Sequence, residues 1–312
     1  MSPPAAPDDW PPLVYEDWAD TQATLHMWTQ VVGKIRLALS PPMNHWWHVP
    51  LYVTARGLST SPMPIGGGRA LEIAFDFLAH ELRLDCSDGA GERLPLRAES
   101  VADFYNHVLA ALAGLGVGVH IWTTPCEVEN PIPFERDETH KSYDPAAAQR
   151  FWRVLVQADR VMKEFRGRFL GKASPVHFFW GSFDMAVTRF SGRPAPPHPG
   201  SPVLPASVSR EAYSHEETSC GFWPGAPGIA PMFYAYAYPE PVGFAEASVR
   251  PEAARWDKTL GEFVLPYDAV RSAADPDAAV LAFFQSTYEA AADLAGWPRA
   301  ELERPVPQGT AR

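Results

Sequence analysis

The densest run of reactive side chains lies between Tyr213 and Pro224, YSHEETSCGFWP. Held extended, this run sets His215, Glu217 and Ser219 on one face and Glu216, Thr218 and Cys220 on the other. Either set supports proton transfer, and Cys220 becomes a nucleophile if a histidine lowers its pKa. A strand burying an inert thiol would carry the same letters, because most free cysteines are buried and unreactive. His215, Glu216 and Cys220 are the catalytic candidates of this segment.

Two strand-like runs add a second set. In Trp46 to Thr54, alternation places Trp47, Val49, Leu51 and Val53 on one face and Trp46, His48, Tyr52 and Thr54 on the other. In Phe178 to Arg189 it places Phe179, Phe183, Met185 and Val187 opposite Trp180, Ser182, Asp184 and Thr188. The first face of each is expected in the core. The second mixes an indole with hydroxyl, imidazole and carboxylate groups, as a mostly apolar small-molecule pocket requires. Asp184 joins the catalytic candidates; Trp46, His48, Tyr52, Trp180 and Ser182 are expected to line the pocket, and Arg56 or Arg189 to hold an anion. A wet sheet face under a neighbouring helix would look the same.

Other chemistries find less support. His45 and His48 on a strand point to opposite faces, and Pro41, Pro42 and Pro50 argue against the helix that would unite them. HExxH, paired CxxC and acidic calcium loops are absent, so any metal would need ligands from distant segments. The stretch 167–174, GRFLGKAS, has glycines too close for a phosphate loop and follows a helix rather than a strand. Gly66, Gly67 and Gly68 read as a turn.

Helices are marked by their caps. Asp20 precedes an apolar run that stops at Gly33; Asp144-Pro145 opens one that stops at Gly167; Ser100 with Asp103 resembles a capping box; and Asp275-Pro276 opens the last helix. Strands are expected at 46–54, 71–78, 81–86, 117–123, 178–189 and 232–238. This mixture lacks strict βαβ alternation and favours an α+β fold with largely antiparallel sheet. At an offset of 134 residues Gly33 falls on Gly167, Ser40-Pro41 on Ser174-Pro175, Trp46 on Trp180, and Val53-Thr54 on Val187-Thr188. The offset suggests a duplicated helix-strand-hairpin-helix unit, residues 1–143 and 144–312, in a pseudo-two-fold arrangement around one core.

The formal net charge of −11, with scattered basic residues, disfavours a nucleic-acid partner. No run approaches the length of a membrane span, and the proline-rich, acidic N-terminus (Met1 to Pro12) lacks an export signal. Three widely spaced cysteines suit free thiols in a cytoplasmic protein. Prolines number 33, and the run Ser191 to Ser209 has no periodicity, so it is expected to be poorly ordered, or held only by contacts at its ends, and to cover the mouth of the site.

Three blocks carry a resemblance: residues 25–58 (LHMWTQVVGKIRLALSPPMNHWWHVPLYVTARGL), 174–193 (SPVHFFWGSFDMAVTRFSGR) and 211–225 (EAYSHEETSCGFWPG). The chain resembles the bacterial domain-of-unknown-function family 5996 from about Trp10 to about Glu303. The matching blocks include His45, Trp46, Trp47, His48, Arg56, His177, Trp180, Asp184, Arg189, His215, Glu216 and Cys220, and His177 joins the ligand-binding candidates on this ground. Glu217 stands where the family pattern is apolar. The resemblance implies kinship and no particular reaction, cofactor or catalytic residue. Two functions follow from the residues: a small-molecule enzyme with a site between the repeats, or a non-catalytic binder of an apolar ligand or peptide. A metalloprotein with dispersed ligands is third. Cofactor and oligomeric state stay open.

Overall fold

The computed structural model describes residues 9–200 and 204–305; most of the N-terminal stretch discussed above and residues 201–203 of the expected lid lie outside them. The fold is α+β. Its helices are α1 (Ala19–Leu39), α2 (Val101–Gly114), α3 (Pro145–Gly167), α4 (Ala206–Ala212), α5 (Tyr267–Arg271), α6 (Pro276–Leu294) and α7 (Arg299–Leu302). The first antiparallel sheet holds β1 (Tyr52–Val53), β2 (Gly57–Ser59), β3 (Met63–Gly66), β4 (Arg69–Asp76), β5 (Glu81–Cys86) and β6 (Gly91–Pro95), in the order β1-β2-β4-β5-β6 with β3 on β4. The second holds β7 (His177–Phe179), β8 (Asp184–Pro194), β9 (His215–Trp223), β10 (Met232–Tyr238), β11 (Arg255–Asp257) and β12 (Glu262–Pro266), in the order β11-β12-β10-β9-β8-β7.

Where the helix signals were side-chain caps, they hold. The Asp103 amide donates to Ser100 Oγ at 3.0 Å, the Ala146 amide to Asp144 at 2.8 Å, and the Ala278 amide to Asp275 at 3.0 Å. Each bond satisfies one of the amides that a helix start leaves free. At α1 the expectation fails at both ends: the helix begins after Trp18, and it runs through Gly33 to Leu39. Gly33 has another task. The Trp180 ring lies against it so closely that a Cβ would come within 2.3 Å of the indole, whose Nε1 donates to Val49 O at 2.8 Å.

The expected strand at 46–54 shrinks to β1. Asn44–Trp46 forms a 3-10 turn in which His45 and Trp46 both take positive φ, 57° and 61°. Prolines at 41, 42 and 50 remove ladder donors on either side, so the face assignment from alternation does not apply before Tyr52. The expected strand at 178–189 is a hairpin of β7 and β8, reversed by a turn in which Phe183 takes φ 59°. Residues 117–123 form no strand. The proline-rich run is ordered at both ends: β8 continues to Pro194 and α4 begins at Ala206, held where His45 Nδ1 donates to Ala212 O at 2.8 Å.

A long helix precedes antiparallel strands and a later helix in both halves, from α1 to α2 and from α3 to α6, but α4 and α5 interrupt the second series and have no counterpart in the first. The 134-residue register does not align like positions, however: Trp46 sits in the 3-10 turn, and Trp180 follows β7 in the hairpin reversal. The sheets meet at one antiparallel bridge, where Leu51 and Phe178 exchange amide bonds of 2.9 and 2.8 Å. Side chains of both halves fill one continuous core.

Substituting Gly33 by Ala should therefore lower stability by about 1–3 kcal/mol through overpacking. Gly114→Ala, where an added Cβ meets nothing within 4 Å, should raise it by about 0.4–1 kcal/mol. Urea unfolding of the two variants distinguishes these signs; equal midpoints would refute the packing role given to Gly33.

Candidate functional site

The tyrosines of β10 alternate with small residues, so Tyr234, Tyr236 and Tyr238 share one face of the second sheet. Opposite them in register on β9 stand Gly221, Ser219 and Glu217. On β8, Ala186 pairs with Gly221 and Thr188 with Ser219, and Asp184 lies two residues before Ala186 on the same face. The reverse face carries Met185, Val187, Phe222 and Phe233 and belongs to the core. Gly221 is the enabling residue: a Cβ there would stand 2.3 Å from the Tyr234 ring. Without one, Tyr234 leans across β9 and donates its hydroxyl to Asp184, which also accepts from Ser182.

Asp184 is buried and has no ion-pair partner among the described residues. Burial pushes its carboxyl above the ordinary range, against the pull of the two hydroxyls. Two further carboxyls feel its charge. Glu127 and Glu262 are each pushed up to about 7, first by burial and then by Asp184. Burial also raises Glu217, opposed by Lys172, and the hydroxyls of Tyr234 and Tyr236. Tyr236 and Tyr213 hydroxyls meet at 3.1 Å, and Thr188 and Ser219 hydroxyls at 3.0 Å. Tyr213, Tyr234, Tyr236, Glu127 and Glu262 are only half-buried although their polar ends are strongly desolvated. Together these residues outline the candidate recess on this face.

The acidic wall is set from α1. His26, Gln30 and Lys34, four residues apart, form a polar stripe along this helix. His26 Nε2 donates to Gly181 O at 2.8 Å, and burial lowers its pKa to about 4, so the ring is neutral. Gln30 pairs with the peptide at Cys126, donating to its carbonyl at 2.8 Å and accepting from its amide at 3.0 Å. Lys34 Nζ donates to Thr124 O at 2.7 Å. The next residue, Glu127, then covers Gly181, where a Cβ would meet its carboxylate at 2.0 Å.

The structure joins the expected residues in two separate pairs: Ser182 bonds Asp184 at the hairpin reversal, and Tyr52 meets His177, which stands opposite Ala186, with rings 5.6 Å apart. His48 stacks on Trp46 at 5.4 Å, its Nδ1 accepting from the Met43 amide. His215 sits at the edge, its ring 5.6 Å from that of His45. Trp180 is a packing residue under α1. Arg56 lies exposed and pairs with Asp76 at 2.5 Å, away from the face. Arg189 points into the core, stacked 3.4 Å over the Phe165 ring and donating to Phe165 O, so it cannot hold a ligand's anion. Cys220 is also in the core, where burial raises its thiol; a thiolate nucleophile is not available there. Glu216 projects to the opposite face and is neutralised by Arg193 at 2.6 Å. It lines a cleft of about 320 Å3 between β9, β10 and the end of α6. Having its countercharge already, that carboxylate leaves the cleft the weaker candidate. Among the described residues, no three His, Cys, Asp or Glu side chains are placed to share a metal ion. No helix there is long and apolar enough to cross a membrane.

The chain matches the model of a family of unknown function, DUF5996, over residues 10–304, and belongs to that family. No curated protein and no solved structure matches it.

Because Glu127 and Glu262 hold their protons more tightly folded than at the ordinary glutamate value of 4.5, the native state binds the extra protons between that value and about 7. Their contribution to stability is thus full below 4.5 and is lost as pH rises through 7. Melting curves from pH 5 to 8 should show the native protein gaining on a Glu127→Gln/Glu262→Gln variant as pH falls; parallel curves would contradict these shifts.

Proposed function

We propose that this family member is a small-molecule enzyme that moves a proton on an amine-bearing substrate, with the recess on the second sheet as its site. The observation that carries this reading is the charge balance: Asp184, Glu127 and Glu262 gather within electrostatic reach of one another, and no cation pairs with any of them among the described residues. An ammonium group supplies the missing charge, and tyrosine rings favour it further. Asp184, its carboxyl raised by burial, shares a hydrogen bond with Tyr234 and forms the proton-transfer pair with it; Glu127 and Glu262, pushed up to about 7, are suited to act as acid or base at neutral pH. His215 stands at the rim.

A binder without catalysis is the second reading, supported by the aromatic group of His198, Tyr213 and Tyr238. His198 stacks on Tyr213 at 4.4 Å and lies 4.9 Å from Tyr238, the kind of lining that cages an organic cation.

A thermal-shift panel of benzylamine, putrescine and tetramethylammonium tests the site. Amines should stabilise the protein at pH 8, where the carboxyls are ionised, and much less at pH 5.5. Asp184→Asn should remove the effect while changing the ligand-free melt little. Turnover of a stabilising amine supports the enzyme, and binding without turnover supports the cage. No stabilisation by any amine would reject both.

A further inference from the structure

A separate group of nitrogens lacks partners. His177 in β7 is 1% exposed, and neither ring nitrogen has a hydrogen bond. Its ring is walled by Trp47 at 6.1 Å, Tyr52 at 5.6 Å and Phe179 at 5.5 Å, each tilted toward edge-on. Arg36, in the last turn of α1, sets its guanidinium 5.3 Å from the Tyr52 ring centre. It is 7% exposed; its side chain shares a hydrogen bond with Tyr52, its Nε is unpartnered, and no carboxylate acts on it among the described residues. Buried polar atoms are satisfied in the great majority of cases, and a buried arginine without a countercharge is rarer still. The His177 N–H and Arg36 Nε are two buried donors without an acceptor, on groups that both lie against the Tyr52 ring.

The chemistry narrows what that acceptor is. Burial and the neighbouring Arg36 and Arg166 charges push His177 down to about 3, so at neutral pH its ring is uncharged and offers one N–H. Arg36 contributes a positive charge and a planar fork that fits two oxygens at once. Indole, phenol and phenyl walls favour a flat apolar body. A water molecule would satisfy a nitrogen but leave the arginine charge uncompensated.

We propose that the niche between the end of α1, the 44–50 turn and β7 binds a small planar carboxylate, an aromatic acid of about the size of benzoate. Arg36 grips the carboxylate, His177 donates to it, and Trp47 and Tyr52 flank its ring. The inference is independent of the amine reading, because none of these groups belongs to the Asp184 recess.

Calorimetric titration of the full chain with benzoate, acetate and inorganic phosphate tests it. Benzoate should bind more tightly than acetate and phosphate. Arg36→Lys, which keeps the charge but loses the fork, should weaken benzoate about tenfold or more. Because Arg36 is buried and its variant risks misfolding, nitrogen-15 spectra of histidine-labelled native protein give a second readout: benzoate should shift the His177 ring signals. Absence of benzoate binding, equal affinity for all three anions, or unmoved His177 signals would overturn the proposal. So would unchanged affinity in a folded Arg36→Lys variant.

Discussion

The architecture depends on α1 being buried nearly all round. Fourteen of its residues are buried, and they include Gln22, Gln30, Lys34 and Arg36 as well as the apolar Trp28, Val31, Val32 and Ile35. A helix in that position cannot leave its polar side chains to water, so those that are paired must find their partners in the segments packed on it. His26, Gln30 and Lys34 do so by gripping backbone carbonyls of the hairpin reversal at 181 and the irregular stretch at 124–126. Satisfying the helix and fixing two loops are thus one event. The acidic recess is a by-product of it, since Glu127 is carried to Asp184 by the same contacts.

Charge is sorted in an uneven way over this face of the second sheet. Toward β10 and β12 it collects carboxyls and phenols that share a raised affinity for protons. Toward β7 the groups are basic or neutral: His177, Arg36 and, at the turn, Lys172, whose Nζ lies 2.6 Å from His45 Nε2 and 5.4 Å over the Trp47 ring. Desolvation amplifies the separation, because charges in a low-dielectric setting are screened less than on a surface.

Much of this was legible locally and little of it at long range. The capped helices at 101, 145 and 276 follow from Ser100, Asp144 and Asp275 alone, and the antiparallel α+β class from the order of elements. Ser182 and Trp180 fall in the hairpin reversal, outside any strand, but Asp184 and Thr188 were placed on the polar face by alternation, which held inside β8. It failed at Trp46 because two residues of positive φ break the period. Gly33 illustrates a different limit: a glycine at a helix end and a glycine admitting an indole are the same letter. The tyrosines of β10 were not singled out, although the spacing of 234, 236 and 238 in a strand puts them on one face. Glu127 gave no such sign. Its position is set by Gln30, whose bond to Cys126 spans 96 residues, and no local pattern records that pairing.

The indole of Trp180 carries a consequence for how the chain is made. It hydrogen-bonds Val49, 131 residues earlier, and fills the hollow at Gly33, while Leu51 has its ladder partner in Phe178. During synthesis from the N-terminus, α1 and the turn after it emerge long before these partners exist. The helix therefore waits with an apolar flank uncovered while about 140 further residues are made, and the first sheet is complete before the piece that seals it has left the ribosome. The order of manufacture and the order of closure are opposed in this molecule, so a pause or truncation before residue 180 yields a nascent chain whose central helix has no lid of its own.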